Sequence, residues 1–426
     1  MTYPDAIRFL YNLRWFGAKF GLAQTFKLAT LAGNPQNSLR FIHVAGTNGK
    51  GSTCAMLESI YRAAGLRVGL FTSPHLVAFS ERIQVNRKAI PETEVARLTA
   101  EIQLLLKDFP LEEHPTFFEV VTVMALRYFA AQKCDLVVWE TGLGGRLDAT
   151  NIVNPLASVI TNIQYDHQKY LGESLASIAR EKAGIIKPGV PVITGTEAPE
   201  PLEVIRETAR QRNAPLTVVA PEHAHQPPLD TIPLPLLGEH QKVNAAVALA
   251  VVQALHRTLP CTAEAIRFGL SRLHWAGRLQ LVRLASGQRV LLDGAHNMSG
   301  AESLAAALQL YFPETNPVLI LGILRDKDWR RMCRILAPLA SRVLLVPVHS
   351  ERSAEPHGLA EACRSSNPSA EVGECNSLAE ALVLAGPAPF VAIAGSLYLI
   401  GEAMEALHLS PGKAVEERGL NEWSVR

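Results

Sequence analysis

The stretch "FIHVAGTNGKGSTCAMLESIYRAAG", residues 41–65, decides the fold. Residues 41–45 form a short apolar run that is typical of a buried strand and that stops at Gly46. Small and polar residues follow up to Ser52, and apolar residues at helical spacing begin after them. Strand, glycine-rich loop and helix in this order predict a phosphate-binding loop, whose backbone N–H groups face phosphate oxygens. A tight glycine turn between two elements is the alternative interpretation.

The loop departs from the common P-loop pattern in one position. In that pattern a serine or threonine directly follows the lysine, whereas here Gly51 follows Lys50 and the hydroxyl comes at Ser52. Lys50 is still placed to offer its ammonium group to terminal phosphates. The candidate nucleotide-binding residues of the loop are Gly46, Thr47, Asn48, Gly49, Lys50, Gly51 and Ser52.

Length and composition indicate a globular protein of two domains. The chain has 426 residues, of which 48% are hydrophobic and 19% charged; this length exceeds one ordinary core. The net charge of 41 − 40 = +1 gives no electrostatic signature for nucleic acid or an acidic membrane. The six cysteines form no CxxC pair and fit a reducing compartment. No signal peptide or membrane-spanning run is recognisable, so we expect a cytoplasmic protein.

Alternating strand and helix patterns run through most of the chain. They predict a doubly wound α/β sheet of parallel strands in the first half. After a proline-rich stretch at 221–241 and two helix patterns, the alternation restarts at Val290 and predicts a second, smaller Rossmann-like α/β domain. We expect domains at 1–278, which includes an N-terminal helix, and at 279–412. A loose polar tail is expected at 413–426.

Polar residues follow the predicted strands of the first domain at their carboxyl ends, where ligands bind in parallel sheets. Ser73 follows the second strand, Glu140 the third, and Asp166 and His167 the fourth. A carboxylate that ends a buried strand is costly unless it is paired or binds a metal, and Mg²⁺ prefers oxygen ligands. The convergence predicts a magnesium–nucleotide site beside the loop. A salt bridge for Glu140, a turn at Ser73 and a structural role for His167 are the alternatives.

Three later positions carry weaker signals of the same kind. "LLDGAHNMSG", residues 291–300, places Asp293 at a strand end and His296 at the start of a helix, which is typical of a ligand-facing edge. Arg278, at the domain junction, suits a phosphate bound between the domains, and a salt bridge is the alternative. Asn244, near a helix start, is equally explained as a cap.

Two residues in these segments have ordinary structural interpretations. Asn297 or Ser299 would serve as the cap of the helix that follows His296. From its sequence context, Lys182 in "SIAREKAGIIKPG" reads as part of a solvated, charged helix face.

The motifs "HVAGTNGKGS", "FTSPHLVAFSERI", "ETGLGGRLDATN", "REKAGIIKPG", "GEHQKVNAA", "WAGRLQ" and "DGAHN" occur in this order. Together they closely resemble the folylpolyglutamate synthase / dihydrofolate synthase family of the Mur ligases, over residues 41–297. Glycine after the loop lysine belongs to this family's version of the motif. The stretch "QKYLG" after His167 differs from the threonine-containing versions of the family.

The resemblance implies an ATP-dependent amide ligase with a Mur-ligase-like P-loop domain. ATP would phosphorylate a carboxylate of the folate or pteroate substrate, and the amine of L-glutamate would displace the phosphate. The implied acceptors are dihydropteroate and tetrahydrofolate polyglutamates, and we expect both to be used. The implied catalytic residues are Lys50, Lys182, His167 and His296.

The resemblance also implies ligand roles for individual residues. Ser73, Glu140 and His167 would bind two Mg²⁺ ions, and Lys182 would be carboxylated. Asn244, Arg278 and Asp293 would hold ATP, with His296 facing the nucleotide. The implied pterin-side residues are Arg82, Thr116, Phe117, Phe118, Glu119, Leu147, Asp148 and Ala149. The glutamate chain would lie near residues 350–358. We expect a monomer without nucleic-acid or membrane partners.

Two other functions are weighed against this one. A Mur-type ligase for cell-wall precursors would use the same chemistry, but it usually carries a separate N-terminal domain, for which too few residues precede the loop. A nucleotide-dependent switch or binding module would need no second domain with Asp293 and His296, and the guanine-reading NKxD motif is absent from the sequence.

Overall fold

The fold contains two β-sheets, each covered by helices on both faces. The computed structural model describes residues 1–17, 21–313, 315–410 and 415–422, without the side chains of residues 415 and 416. The first sheet is built from strands between residues 41 and 218, and the second from strands between 280 and 394. The domain limits drawn from the sequence stay predictions. No helix in these described ranges is long and apolar enough to cross a membrane.

The first sheet has eight strands in the order β4-β3-β2-β5-β1-β6-β7-β8. Strands β2, β5, β1, β6, β7 and β8 pair in parallel, and β3 and β4 are added as an antiparallel edge. The strand bounds are β1 Phe41–Ala45, β2 Val68–Phe71, β3 Ile83–Val85, β4 Lys88–Ala89, β5 Leu136–Glu140, β6 Ala157–Ile160, β7 Val192–Thr194 and β8 Leu216–Val218.

The second sheet has six strands in the order β13-β12-β11-β14-β10-β9. All pairs are parallel except β9 with β10, which is antiparallel. The strand bounds are β9 Gln280–Arg283, β10 Arg289–Asp293, β11 Val318–Leu321, β12 Arg342–Leu345, β13 Glu371–Glu374 and β14 Phe390–Ala394.

Sixteen α-helices occur in the described ranges. They are α1 Tyr3–Asn12, α2 Ala23–Leu31, α3 Lys50–Ala63, α4 Glu92–Leu105, α5 Phe117–Ala131, α6 Gln168–Leu171, α7 Leu175–Ala183, α8 Pro199–Gln211, α9 Glu239–Ala254, α10 Ala263–Ser271, α11 Met298–Tyr311, α12 Trp329–Leu336, α13 Pro356–Ser366, α14 Leu378–Ala385, α15 Leu397–Ala406 and α16 Val415–Arg418.

Alternating side chains of the central strands bury the two faces of the first sheet. On one face, Phe41, Phe71 and Trp139 pack with α1, α2, α4 and α5. On the other face, Ile42 and Val44 pack with α3, α9 and α10. Because both faces are covered, the central strands consist mostly of apolar residues. This arrangement confirms the predicted doubly wound parallel sheet.

Several elements differ from the sequence prediction. The strands β3, β4, β9 and β13 and the helices α2, α6, α13, α14 and α16 were not predicted. The prediction of a loose tail at 413–426 is wrong for residues 417–422. Leu420 is only 1% exposed and packs in the same hydrophobic cluster as α1 and α5. One buried leucine and several long-range hydrogen bonds hold a segment whose composition is mostly polar. Residues 411–414 and 423–426 lie outside the described part of the chain.

Candidate active site

The loop between β1 and α3 requires glycine at two positions. Gly46 has a φ of 152°, and a Cβ added there would lie 1.9 Å from Thr161 Oγ1. Gly49 has a φ of 82°, and its Cβ would lie 2.4 Å from Asn244 Oδ1. Both the backbone conformation and the close neighbours therefore exclude a side chain. The alternative of an ordinary glycine turn does not require such close approaches.

The loop is held open by bonds to the segment that follows β6. Thr47 N donates to Asn162 O at 3.0 Å, and Asn48 N donates to Asn162 Oδ1 at 2.8 Å. Thr161 Oγ1 donates to Asn48 O at 2.6 Å. These contacts leave the first turn of α3, from Lys50 onward, with N–H groups that have no partner within the helix. Such a turn is an anion-binding site.

Lys50 begins α3 directly after this loop, and the carbonyl groups of the loop position its side chain. Its Nζ donates to Gly46 O at 3.1 Å and to Thr47 O at 3.2 Å. The ammonium group thus lies over the backbone that would surround a phosphate. It also contributes the largest favourable charge near Glu140, whose carboxylate it stabilises.

Glu140 ends β5 and is 3% exposed. Its Oε2 accepts a hydrogen bond from Ser73 N at 3.1 Å. Burial raises the pKa of Glu140 to about 7, and the charges of Lys50, Arg278 and Arg82 only partly oppose this rise. In the described ranges no basic side chain forms an ion pair with Glu140, so the salt-bridge interpretation is wrong. A divalent cation is the group that such a buried carboxylate would accommodate.

Lys182 is buried on α7 instead of belonging to a solvated face. The side chain is 4% exposed, and its Nζ donates to Gly46 O at 2.8 Å. Burial, together with the charge of Lys50, lowers the pKa of Lys182 to about 7. A large fraction of this amine is therefore uncharged near neutral pH. The neutral form is the one that can react with CO₂, so the residue fits the carboxylation implied by the family resemblance.

Asp166 connects the two domains beside the loop. Its Oδ1 accepts from Lys327 Nζ at 2.5 Å, and its Oδ2 accepts from Asn297 Nδ2 at 3.1 Å. Although burial acts to raise the pKa of Asp166, the ammonium group of Lys327 holds it well below its ordinary value. Lys327 and Asn297 come from the second domain, so this carboxylate is an ionised bridge between the domains.

The two predicted histidines lie on either side of Asp166. His167 has a φ of 51° and begins α6, while His296 Nδ1 lies 2.7 Å from Gly294 O. Burial and the charge of Lys327 lower the pKa of His167 to about 3 and that of His296 to about 4. Both rings are therefore neutral at physiological pH, and a neutral imidazole nitrogen can accept a hydrogen bond or bind a metal.

An amide pair joins the loop directly to the second domain. Asn48 Nδ2 donates to Asn297 Oδ1 at 3.2 Å, and Asn297 Nδ2 donates to Asn48 Oδ1 at 3.0 Å. Asn297 also caps α11, because its Oδ1 accepts from Gly300 N at 2.8 Å. The capping interpretation of Asn297 is thus correct, and the same side chain places α11 against the loop.

The remaining predicted nucleotide residues lie on the far side of the loop. Asn244 lies within α9 and donates to Gln241 Oε1 at 3.1 Å, so the prediction of a helix cap there is wrong. Asp293 accepts bonds from Leu279 N and Ala295 N. Burial raises the pKa of Asp293, which the neighbouring Arg278 opposes. Arg278 itself is paired electrostatically with this strand-end acid at the edge of β10.

These residues surround one cavity of about 200 Å³ between the two sheets. Every residue predicted to bind nucleotide or metal, or to act in catalysis, lines it. The sequence analysis missed other polar residues on the same wall, among them Asn162, His240 and Gln241. The lining includes Gly46, Thr47, Asn48, Gly49, Lys50, Gly51, Ser52, Ser73, Glu140, His167, Lys182, Asn244, Arg278, Asp293 and His296.

A second cavity of about 250 Å³ adjoins the first and has a more apolar wall. It is lined by all the residues predicted on the pterin side: Arg82, Thr116, Phe117, Phe118, Glu119, Leu147, Asp148 and Ala149. Ser73, His167 and His296 line both cavities. A long ligand in the second cavity would therefore meet a nucleotide phosphate at these three side chains.

Several polar groups of the second cavity already have structural partners. Thr116 caps α5 and forms a capping box with Glu119, whose other oxygen accepts from Thr25 Oγ1 at 3.0 Å. Arg82 is 3% exposed and donates to His75 Nδ1 at 2.9 Å and to Asn421 Oδ1 at 2.5 Å. The substrate roles of these residues stay predictions, as do the ligand roles in the first cavity.

A magnesium site would have to combine protein and substrate ligands. In the described part of the chain, no group of three or more His, Cys, Asp or Glu side chains could hold a metal by itself. Glu140 and the Ser73 hydroxyl supply oxygen donors, and the phosphate groups would complete an octahedral shell with water. These donors fit Mg²⁺, although His167 is an unusual ligand for it.

The comparison with known proteins agrees with this architecture. The Mur ligase middle domain matches residues 44–191, and the Mur ligase glutamate ligase domain matches residues 277–397. These two matches define the class of protein as a Mur ligase.

Relatives of known name cover nearly the whole chain. The dihydrofolate synthase/folylpolyglutamate synthase of Bacillus subtilis is 36% identical over 95% of this chain and 99% of the relative. The folylpolyglutamate synthase of Lacticaseibacillus casei is 33% identical over 96% of this chain and 99% of its own length. The structure of Escherichia coli FolC in complex with DHPP and ADP superimposes with a TM-score of 0.84 at 32% identity, over 96% of this chain and 98% of FolC.

The chain therefore belongs to the folylpolyglutamate synthase / dihydrofolate synthase family. It is an ATP-dependent glutamate ligase. The family predicted from the motifs is confirmed, and the alternative of a cell-wall precursor ligase is less well supported than the folate-related one.

Proposed function

We propose that the chain adds L-glutamate both to dihydropteroate and to the γ-glutamyl chain of tetrahydrofolate. The observation that carries this proposal is the junction of the two cavities at Ser73, His167 and His296. A folate-type acceptor in the apolar cavity would present its carboxylate there to the terminal phosphate of ATP. The Bacillus subtilis and Escherichia coli relatives are named for both activities, which supports use of both acceptors.

In the proposed mechanism, the loop and Lys50 hold the phosphates of ATP. The first turn of α3 donates backbone N–H groups to them, and the Lys50 ammonium stabilises charge on the transferring phosphoryl group. The acceptor carboxylate attacks the terminal phosphorus, ADP leaves, and an acyl phosphate forms. The amine of L-glutamate then attacks the acyl carbon, and phosphate leaves as the amide bond forms. The leaving phosphate can take the proton that the amine loses, and the catalytic roles of His167 and His296 stay predictions.

Mg²⁺ fits this site and would be held by Glu140, the Ser73 hydroxyl and His167. When bound, it would neutralise phosphate charge.

Lys182 would be carboxylated, which replaces a cation with a carbamate next to Gly46 and the metal region. ¹³C nuclear magnetic resonance of protein in ¹³C-bicarbonate tests this modification: a carbamate signal that is absent from Lys182→Gln supports it, and an identical spectrum contradicts it.

ADP release tests the proposed function. Purified protein receives ATP, Mg²⁺ and L-glutamate with either dihydropteroate or tetrahydrofolate in separate reactions. We expect glutamate-dependent turnover with both acceptors. Turnover with only one acceptor would contradict the proposal of two activities and would identify the protein as a synthase that uses that acceptor alone.

The expectations of a monomer, a cytoplasmic location and no nucleic-acid or membrane partner stay predictions. Light scattering measures the first of them.

A further inference from the structure

The C-terminal segment, residues 417–422, forms one wall of the second cavity. None of the sequence motifs includes this segment. Leu420, Asn421 and Glu422 line this cavity beside Phe117 and Tyr398. These three residues of the segment are buried, with exposed fractions between 1% and 8%. The segment is therefore part of the site and not a surface appendage.

The first domain anchors this segment by several hydrogen bonds. Glu417 Oε2 accepts from Phe79 N at 2.6 Å and from Tyr3 Oη at 3.0 Å. Asn421 accepts from Arg82, as described above, and its Nδ2 donates to His75 O at 2.9 Å. Because these bonds fix both ends of the segment, the position of Glu422 is defined by the fold.

Glu422 lies between one arginine from each domain. Its backbone oxygen accepts from Arg14 Nε at 3.0 Å, and its Oε2 accepts from Arg352 Nε at 3.1 Å. Its side-chain Oε1 is buried and has no hydrogen-bond partner among the residues that the structure describes. A buried carboxylate oxygen without a donor is unfavourable, so such an atom at a cavity wall indicates a ligand that supplies the donor.

The other two carboxylates that line the cavity do not have this property. Both oxygens of Glu119 accept hydrogen bonds, from Thr25 and from Thr116. Both oxygens of Asp148 are also used, one by Thr150 and the other by Leu143 N at 2.8 Å. Of the acidic side chains lining this cavity in the described ranges, Glu422 alone retains an oxygen for a substrate.

We propose that Glu422 is a substrate-binding residue whose Oε1 accepts a hydrogen bond from an N–H group of a substrate. This inference rests on the proposed function and assigns one contact within it. Two sources supply the same chemistry: the ammonium group of the incoming amino acid, and the 2-amino and ring N–H groups of the pterin. Arg352 would then hold the carboxylate in place from the second domain while the substrate occupies its free side.

Steady-state kinetics of Glu422→Gln test this inference. The substitution keeps the shape of the side chain and the backbone bond to Arg14, but it removes the charge that strengthens the hydrogen bond. We expect the KM of one substrate to rise by about tenfold or more, as loss of a buried charge-assisted bond requires. A rise for L-glutamate alone assigns the contact to its ammonium group, and a rise for the pterin acceptor alone assigns it to the ring. A change below about twofold in both would overturn the inference.

Glu351→Gln is the matched control. Glu351 forms an ion pair with Arg14 at 3.7 Å, but its side chain is 77% exposed and it does not line the cavity. This variant should keep both KM values. If Glu422→Gln folds poorly in calorimetry, Glu422→Asp replaces it, because it keeps the anion beside Arg352 and withdraws it from the cavity by one methylene. Turnover by the wild-type enzyme in the same assay reports on the proposed function separately, so failure of either hypothesis is distinguishable.

Discussion

Glu140 and Lys182 show how burial sets the protonation state of single side chains at this site. Burial raises the pKa of Glu140 to about 7 and lowers that of Lys182 to about 7, because it disfavours the charged form of an acid and of a base alike. Lys50 acts on both groups: it opposes the rise in the pKa of Glu140 and adds to the fall in the pKa of Lys182. This one ammonium group therefore influences the metal-side carboxylate and the reactive amine together.

Lys50→Ala should remove turnover while the protein stays folded. The ammonium group is the side-chain cation of the phosphate loop, and loss of one such electrostatic contact typically lowers kcat by about 10² to 10³. Stopped assays of ADP formation measure the effect. Lys169→Ala, at an exposed position in α6, is the control and should retain activity. Undiminished turnover in Lys50→Ala would exclude the phosphate-loop assignment.

His43 should contribute to acid sensitivity of the fold. It is fully buried in β1, where burial lowers its pKa to about 3. Its pKa in the unfolded chain is about 6.5, so between pH 6.5 and 3 the unfolded state binds the extra proton and stability falls as pH falls. At pH 5 this amounts to about 2 kcal/mol. Calorimetry at pH 7 and pH 5 should show a smaller loss of Tm in His43→Gln than in the wild type; an equal loss would contradict the assignment.

At the scale of elements, one glycine lies just before α3 and another just after it, and the two have different surroundings. Gly49 precedes the helix and contacts Asn244, whereas Gly65 follows it with a φ of 89° and no atom within 4 Å of an added Cβ. Both glycines have a left-handed backbone, so an alanine is strained at either position by about 1 kcal/mol. They differ in whether a neighbour occupies the space.

Gly49→Ala should therefore weaken nucleotide binding, while Gly65→Ala should only lower stability. In the first variant the new methyl group would displace Asn244 or distort the loop that surrounds the phosphates. Calorimetric titration with ADP measures binding, and we expect the affinity of Gly49→Ala to fall by at least about tenfold. Equal ADP affinity in the two variants would show that the loop tolerates the side chain.

The parallel strands and their polar ends were predictable because burial leaves short, continuous apolar runs. Strands β3 and β13 escaped prediction because they lie toward the sheet edges and are short, and "EVGE" of β13 has only one large apolar residue. Helix α5 shows a case in which local sequence suffices, since Thr116 and Glu119 form its capping box. The site residues Asp166 and Lys327 form a pair across 161 positions, and no local pattern signals such a contact.

At the scale of the whole molecule, the two domains are held together by buried polar contacts at the active site. Lys327 and Asp166 are 7% and 8% exposed and lie 2.5 Å apart. The amide pair of Asn48 and Asn297 lies next to them. Since Lys327, Asp166 and Asn48 also line the cavities, the contacts that hold the domains together would respond to the ligands that bind there.

Lys327→Met should destabilise the interface strongly. It leaves the Asp166 carboxylate buried without its cation, a change that typically costs about 3–5 kcal/mol. Calorimetry should show a lower Tm, and kcat/KM should fall with it. Lys242→Met is the control, because the Lys242–Glu239 pair is 38% and 48% exposed and such pairs contribute at most about 1 kcal/mol. A similar Tm for both variants would contradict the structural role of Lys327.

The contact of the C-terminal segment with α1 also affects how the chain is synthesised. Tyr3 and Glu417 are hydrogen-bonded across 414 positions, and Leu420 completes the hydrophobic cluster that α1 shares with α5. A ribosome delivers the amino-terminal residues first, at about 5–20 residues per second. The hydrophobic core of the first domain therefore stays incomplete until the ribosome has synthesised the whole second domain. Its final packing is an event that follows release of residue 420 from the exit tunnel.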